Sequence, residues 1–218
     1  MRLRADLNRY EWLAVEDQEF VPSPMAGVER VLIDRVGDEV AVATSIVRYA
    51  PNSSFPRHEH ALGEEFFVLA GVFSDEHGDY PAGTYVRNPA GTAHTPYSDP
   101  GCEIYVKLRQ FDPNDQDQFA KQLDLSTPEE GVQMETLHEH GDELVVLIRS
   151  AAGERIVLPA HTCAREALVL EGAVAWQTDA TRTLRRKSWL RVPPGSPLRL
   201  VAVEPSVVLA KTRPTAHG

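Results

Sequence analysis

His58, His60, Glu64 and His94 are the residues of this 218-residue chain whose types and spacing suit metal chemistry. Three neutral imidazoles and one carboxylate form a ligand set for a borderline divalent ion such as zinc, iron(II), nickel or manganese. Positioning them requires strands. In an extended segment successive side chains alternate faces, so His58 and His60 project from one face into one volume. Gly63 supplies a bend, and Glu64 opens an apolar run, Phe66 to Leu69, that ends at Gly71 and can return its carboxylate to that volume. The stretch Gly83 to His94 reads as a strand, a Pro/Gly turn at Pro89 to Gly91, and a further strand that delivers the third histidine.

The first stretch resembles the first cupin motif, in which HxH is followed after three residues by Glu and after six more by Gly, filled by His58, His60, Glu64 and Gly71. The second is similar to the second cupin motif, with Gly83, Pro89, Gly91 and His94 in place. Asn52 stands where the first motif opens with Gly, and Ser98 where the second closes with Asn. Asn tolerates a left-handed backbone better than any residue but Gly, so Asn52 can serve the same turn. Residues 25–110, above all the runs GDYPAGTY and CxIYVKLRQ, resemble the ChrR-like cupins, the family of an anti-sigma factor that restrains a sigma factor and releases it under singlet-oxygen or peroxide stress. The resemblance implies a double-stranded β-helix, a metal held by His58, His60, Glu64 and His94 with zinc the first choice, and a stress-sensing role. It also implies a sigma-factor partner, but no Cys pair or helical length before Val28 matches the helical zinc domain that holds the sigma factor in that family.

Composition sets the setting. Only Cys102 and Cys163 occur and no CxxC, which points to a reducing, cytoplasmic environment. The N-terminus lacks the apolar core of a signal peptide, and no apolar run approaches a membrane span. A formal net charge of -10 disfavours direct binding of nucleic acid. Arg182, Arg185, Arg186 and Lys187 cluster beside an expected hairpin and read as a solvated turn.

The chain repeats itself. Gly27-Val28-Glu29 answers Gly131-Val132-Gln133, and Pro89-Ala90-Gly91 answers Pro193-Pro194-Gly195, both at an offset of 104; Leu69-Ala70-Gly71 answers Leu170-Glu171-Gly172 at 101. With short branched strands bounded by Gly/Asp turns throughout, the expected fold is all-β: two tandem cupin jelly-roll barrels, residues 1–110 carrying the metal site and 111–218 a degenerate copy. In the second copy Pro159 replaces His58, Arg165 replaces Glu64 and Leu198 replaces His94, leaving His161 alone, so one metal per chain is expected. His138-Glu139-His140 repeats the HxH spacing but falls beside Gly141 and reads as an exposed turn. The apolar segment Trp12 to Val15 and its counterpart near Phe119 are expected to cover barrel edges, and a homodimer follows from that.

Two functions fit. One is a ChrR-like regulatory or sensing module in the transcriptional response to oxidative stress, answering an oxidant or small ligand. The other is a metal-dependent dioxygenase acting on a small diketone or enediol. An apolar pocket with an inward-facing cation, Lys107 or Arg109, would favour the enzyme.

Overall fold

The computed structural model describes residues 1–38, 40–176 and 182–214. Glu39 of the turn after Val36, and residues 177–181 of the hairpin before Arg182, lie outside the described residues. Among the described residues the regular structure is strand apart from one 3-10 turn, Val15–Asp17. None forms a helix long and apolar enough to cross a membrane.

The chain divides into two compact units, one of residues 1–5 and 19–124, the other of residues 6–18 and 125–218. Each is an antiparallel jelly roll. In the first, the main sheet runs Arg2–Leu3, Val28–Gly37, Ala41–Tyr49, Cys102–Leu108, Glu64–Asp75, Thr84–Asn88, Phe119–Gln122. The long strand Glu64–Asp75 belongs to both walls. Its first half pairs with Cys102–Leu108 and Thr84–Asn88, and beyond Gly71 it pairs with Gly78–Pro81 and Tyr97–Ser98. The corner depends on Gly71, whose φ of +72° suits glycine and whose added Cβ would lie 2.0 Å from the Gly101 carbonyl oxygen. Gly71→Ala should therefore destabilise the first unit by about 3 kcal/mol or more, read as a lower urea midpoint. A variant as stable as the parent would show that the corner tolerates a side chain.

The second unit repeats this plan. Leu168 faces Trp189 as Phe67 faces Tyr85, and Ala167 faces Ala210 on the next strand as Phe66 faces Val106. The arms are equivalent as well: Glu11–Leu13 extends the second unit's sheet beside Trp189–Val192, and Phe119–Gln122 extends the first unit's sheet beside Thr84–Asn88. Asn52 adopts the left-handed conformation expected of it, at φ 58°.

What fills the two barrels differs. A continuous cluster that includes Val146, Ile148, Ile156, Val192, Leu198 and Leu200 fills the second. The first has a smaller cluster around Phe66, Phe73, Ile104 and Val106, and beside it a cavity of about 470 Å³. His138, read as part of an exposed turn, is instead buried at a β-bulge, where the strand Val132–His140 shifts register against Glu143–Ser150. The bulge turns its ring inward beside Glu143, 3.9 Å away. Of the basic cluster, Arg185 is exposed and Arg186 and Lys187 form a turn as expected, while Arg182 lies 4.6 Å over the Trp12 ring and Arg186 donates to Glu171.

Candidate metal centre

Each of the four candidate side chains reaches the first barrel's interior from a defined place. His58 and His94 are direct cross-strand partners in the short ladder of His58–Glu59 with Ala93–His94. Directly opposed residues share a face, so both rings enter the same space. His60 follows two residues after His58, its strand held by the His60 amide donating to the Thr92 carbonyl. Glu64 begins the long strand just after Gly63, at φ +77°. One ligand atom from each of the four lies within 4.8 Å of every other. Glu64 Oε1 is 3.6 Å from His60 Nε2 and 3.5 Å from His94 Nε2.

Three outer contacts fix the imidazoles. His58 Nδ1 donates to the Pro56 carbonyl at 3.0 Å, a group that can only accept. Thr92 donates its hydroxyl to the Pro89 carbonyl, so at 2.9 Å its oxygen accepts from His60 Nδ1. Asp75 Oδ2 accepts from His94 Nδ1 at 3.0 Å, while its Oδ1 takes the His77 amide at 2.8 Å. With every Nδ1–H directed outward, each Nε2 lone pair faces the common centre. Buried His60 Nε2 has no hydrogen-bond partner, an arrangement that costs free energy unless something accepts that lone pair.

Electrostatics point the same way. Burial pushes the Glu64 carboxyl up to about 7, and burial together with the His94 and His58 charges pushes His60 down to about 3. Burial opposes protonation of His94, but the Asp75 hydrogen bond and the nearby Glu64 carboxylate outweigh it and raise its pKa. A dication would pair with the buried carboxylate and occupy the orphaned nitrogen, so these residues fit the ion their types suggest. Because binding needs the Glu64 carboxylate and neutral rings, a proton and the metal compete for one place. Affinity for a divalent ion should level off only above the range in which Glu64, at about 7, and His94, also raised, lose their protons, and fall below it by about tenfold per pH unit or more, measured by chelator competition. An affinity flat from pH 8 to 5 would contradict that assignment.

Asp75 was legible in the sequence only as part of the hairpin SDEHGDY, yet it orients a ligand from the end of the long strand. Asp75→Asn should lower metal affinity about 10- to 100-fold with all four ligands present. Unchanged affinity would reduce Asp75 to a hairpin residue.

The centre opens into the cavity. Met25, Val28, Val47, Phe55, Ile104 and Val106 supply apolar wall, and Arg30, Arg35 and Arg109 also line it. Lys107 does not serve as the expected inward cation: its Nζ donates to Thr44 Oγ1 at 3.0 Å and to Gln110 Oε1 at 3.4 Å. The matched positions of the second unit form no such site. His161 Nδ1 accepts the Cys163 amide, Arg165 donates to the Pro159 carbonyl, and Leu198 lies in the apolar cluster.

Residues 9–112 match the family model of the ChrR cupin-like domain. Over this segment the chain is similar to the ChrR cupin-like domain. No curated protein matches the chain in sequence. Solved structures share its two-barrel cupin fold. A putative dioxygenase from Nostoc punctiforme aligns with TM-score 0.72 and 14% identity over 96% of this chain and 85% of its own. The bacterial pirin YhhW of Escherichia coli, in complex with nickel(II), aligns with TM-score 0.72 and 15% identity over 95% of this chain and 100% of its own. A salicylate 1,2-dioxygenase from Pseudoaminobacter salicylatoxidans aligns with TM-score 0.59 and 14% identity over 78% of this chain and 70% of its own. The segment similar to the ChrR cupin-like domain thus belongs to a bicupin whose second barrel is filled.

Proposed function

We propose that the chain is a metal-dependent cupin enzyme of the dioxygenase type, with His58, His60, Glu64 and His94 holding one divalent ion and a small enolisable 1,3-dicarbonyl or enediol as substrate. The observation that carries this reading is the ligand cluster's position on the wall of an apolar cavity of about 470 Å³, large enough for a small molecule. An ion held there would polarise the substrate's enolisable carbonyl. The protein's own part is positional. Asp75, Thr92 and the Pro56 carbonyl keep the three rings in the ligating tautomer, and Val47, Ile104 and Val106 give the cavity beside them an apolar wall. In the reaction class envisaged a carbon–carbon bond of the substrate breaks and both atoms of O2 end in the products, so no external reductant is required. Oxygen uptake against a panel of 1,3-diketones, with protein loaded separately with iron(II), nickel, manganese and zinc, tests this. Metal-dependent uptake abolished in His94→Ala supports the reading; no uptake with any metal overturns it.

The match to the ChrR cupin-like domain favours a second reading, a sensing module that answers an oxidant or small ligand without turning it over. Binding of a diketone with no oxygen consumed, or metal release on exposure to peroxide, would select that alternative.

A further inference from the structure

Arg30 gives the cavity a second recognition element, and we propose that the ligand of the metal site carries a separate carboxylate that Arg30 receives. This inference rests on the reading of the cavity as a substrate site and narrows it to a class: small carboxylic acids bearing an enolisable dicarbonyl and an apolar connecting chain.

The strand Val28–Gly37 places this side chain. Val28 faces Tyr49 and Arg30 faces Val47, and directly opposed residues share a face. Both partners line the cavity, so Arg30 stands on the barrel's inner surface, where an apolar residue would ordinarily sit. The pairing then slips between Leu32 and Asp34, and this bulge brings Arg35 to the inner face as well, opposite Ala43. The two arginines differ in what they do there. Arg35 donates to the Asp38 carbonyl. Arg30 Nε is buried without a hydrogen-bond partner, and no carboxylate among the described residues forms an ion pair with its guanidinium. Arg30 is partly buried and lines the cavity together with Val28, Val47 and Ile104, and its buried Nε–H, left without an acceptor, costs desolvation free energy. A carboxylate presented in the fork of the guanidinium removes that cost and adds charge-assisted hydrogen bonds. A divalent ion held by His58, His60, Glu64 and His94 would take up the dicarbonyl end of such a molecule, and the apolar wall suits the methylenes between.

The probes are 5,7-dioxooctanoate and its methyl ester, which share the chelating diketone and differ in the charge meant for Arg30. Calorimetry on nickel-loaded and metal-free protein compares the parent chain with Arg30→Met and Arg30→Lys, each checked for nickel stoichiometry and melting temperature. The parent should bind the acid at least about tenfold more tightly than the ester. That ratio should fall to near one in Arg30→Met and recover in part in Arg30→Lys. Equal binding of acid and ester by the parent, or a ratio untouched in a folded, nickel-loaded Arg30→Met, overturns the proposal. The metal reading fails separately: if both probes bind equally well with and without nickel, chelation is wrong, while the acid-to-ester ratio still reports on Arg30.

Discussion

His94→Ala should lower the chain's affinity for a divalent ion by more than about a hundredfold, because it removes a ligand and also leaves Asp75, whose Oδ2 takes the His94 ring, without that partner. Losing even an outer partner of a ligand typically costs about 10- to 100-fold, and loss of the ligand itself exceeds that. His58→Ala should behave similarly, since His58 opposes His94 in the same ladder and no nearby His, Cys or carboxylate among the described residues is grouped with the four as a substitute. His161→Ala should leave metal content unchanged: that ring serves the Cys163 amide in the second unit. Elemental analysis after dialysis against a weak chelator separates these variants. Full occupancy in His94→Ala would mean that the ion lies elsewhere.

Arg87→Met should destabilise the first unit by about 3–5 kcal/mol, the cost of removing one partner from a buried ion-pair network. Arg87 is 0% exposed and donates to Glu65 at 3.0 Å and to Asp115 at 2.6 Å, while Tyr85 donates to the same Glu65 carboxylate at 2.6 Å. Removing the guanidinium leaves two carboxylates without their shared cation. The corresponding change in the second unit, Arg191→Met, should cost less. There Glu166 lies 3.8 Å from Arg191 but only 2.9 Å from Arg213, so a cation remains with the carboxylate. Denaturant unfolding of both variants gives the comparison. Equal losses would show that the closeness of the ion pair, 3.0 and 2.6 Å for Arg87 against 3.8 Å for Arg191, does not set the cost.

The grouping of the four candidate ligands was legible because each is announced by a backbone requirement as well as by its chemistry. His58 and His60 share strand parity, Gly63 bends the chain ahead of Glu64, and the turn at Pro89 to Gly91 returns His94 to a ladder with His58. The repeat was legible for a similar reason: Gly71 and Gly172 mark the same corner, where a Cβ would strike the Gly101 or the Pro205 carbonyl. Bulges hid the rest. Alternation along Val28–Gly37 puts Arg30 and Arg35 on opposite faces, and only the slip at Leu32 to Asp34 brings them to one. The slip between Thr136 and His138 likewise turns His138 from an expected turn into a buried side chain. Asp75 was hidden because an aspartate in a Gly/Asp-rich hairpin has a sufficient local reason to be there. The interior of the second barrel could be judged from lost ligands, but its filling depends on Ile148, Leu158 and Leu200 meeting across strands far apart in sequence.

Metal content and coordination of the protein isolated without added metal test the central claim most directly. Elemental analysis with X-ray absorption at the edge of the metal found should give one first-row divalent ion per chain, bound by three imidazole nitrogens and a carboxylate oxygen. Two ions per chain, or one ion without histidine ligation, would contradict it.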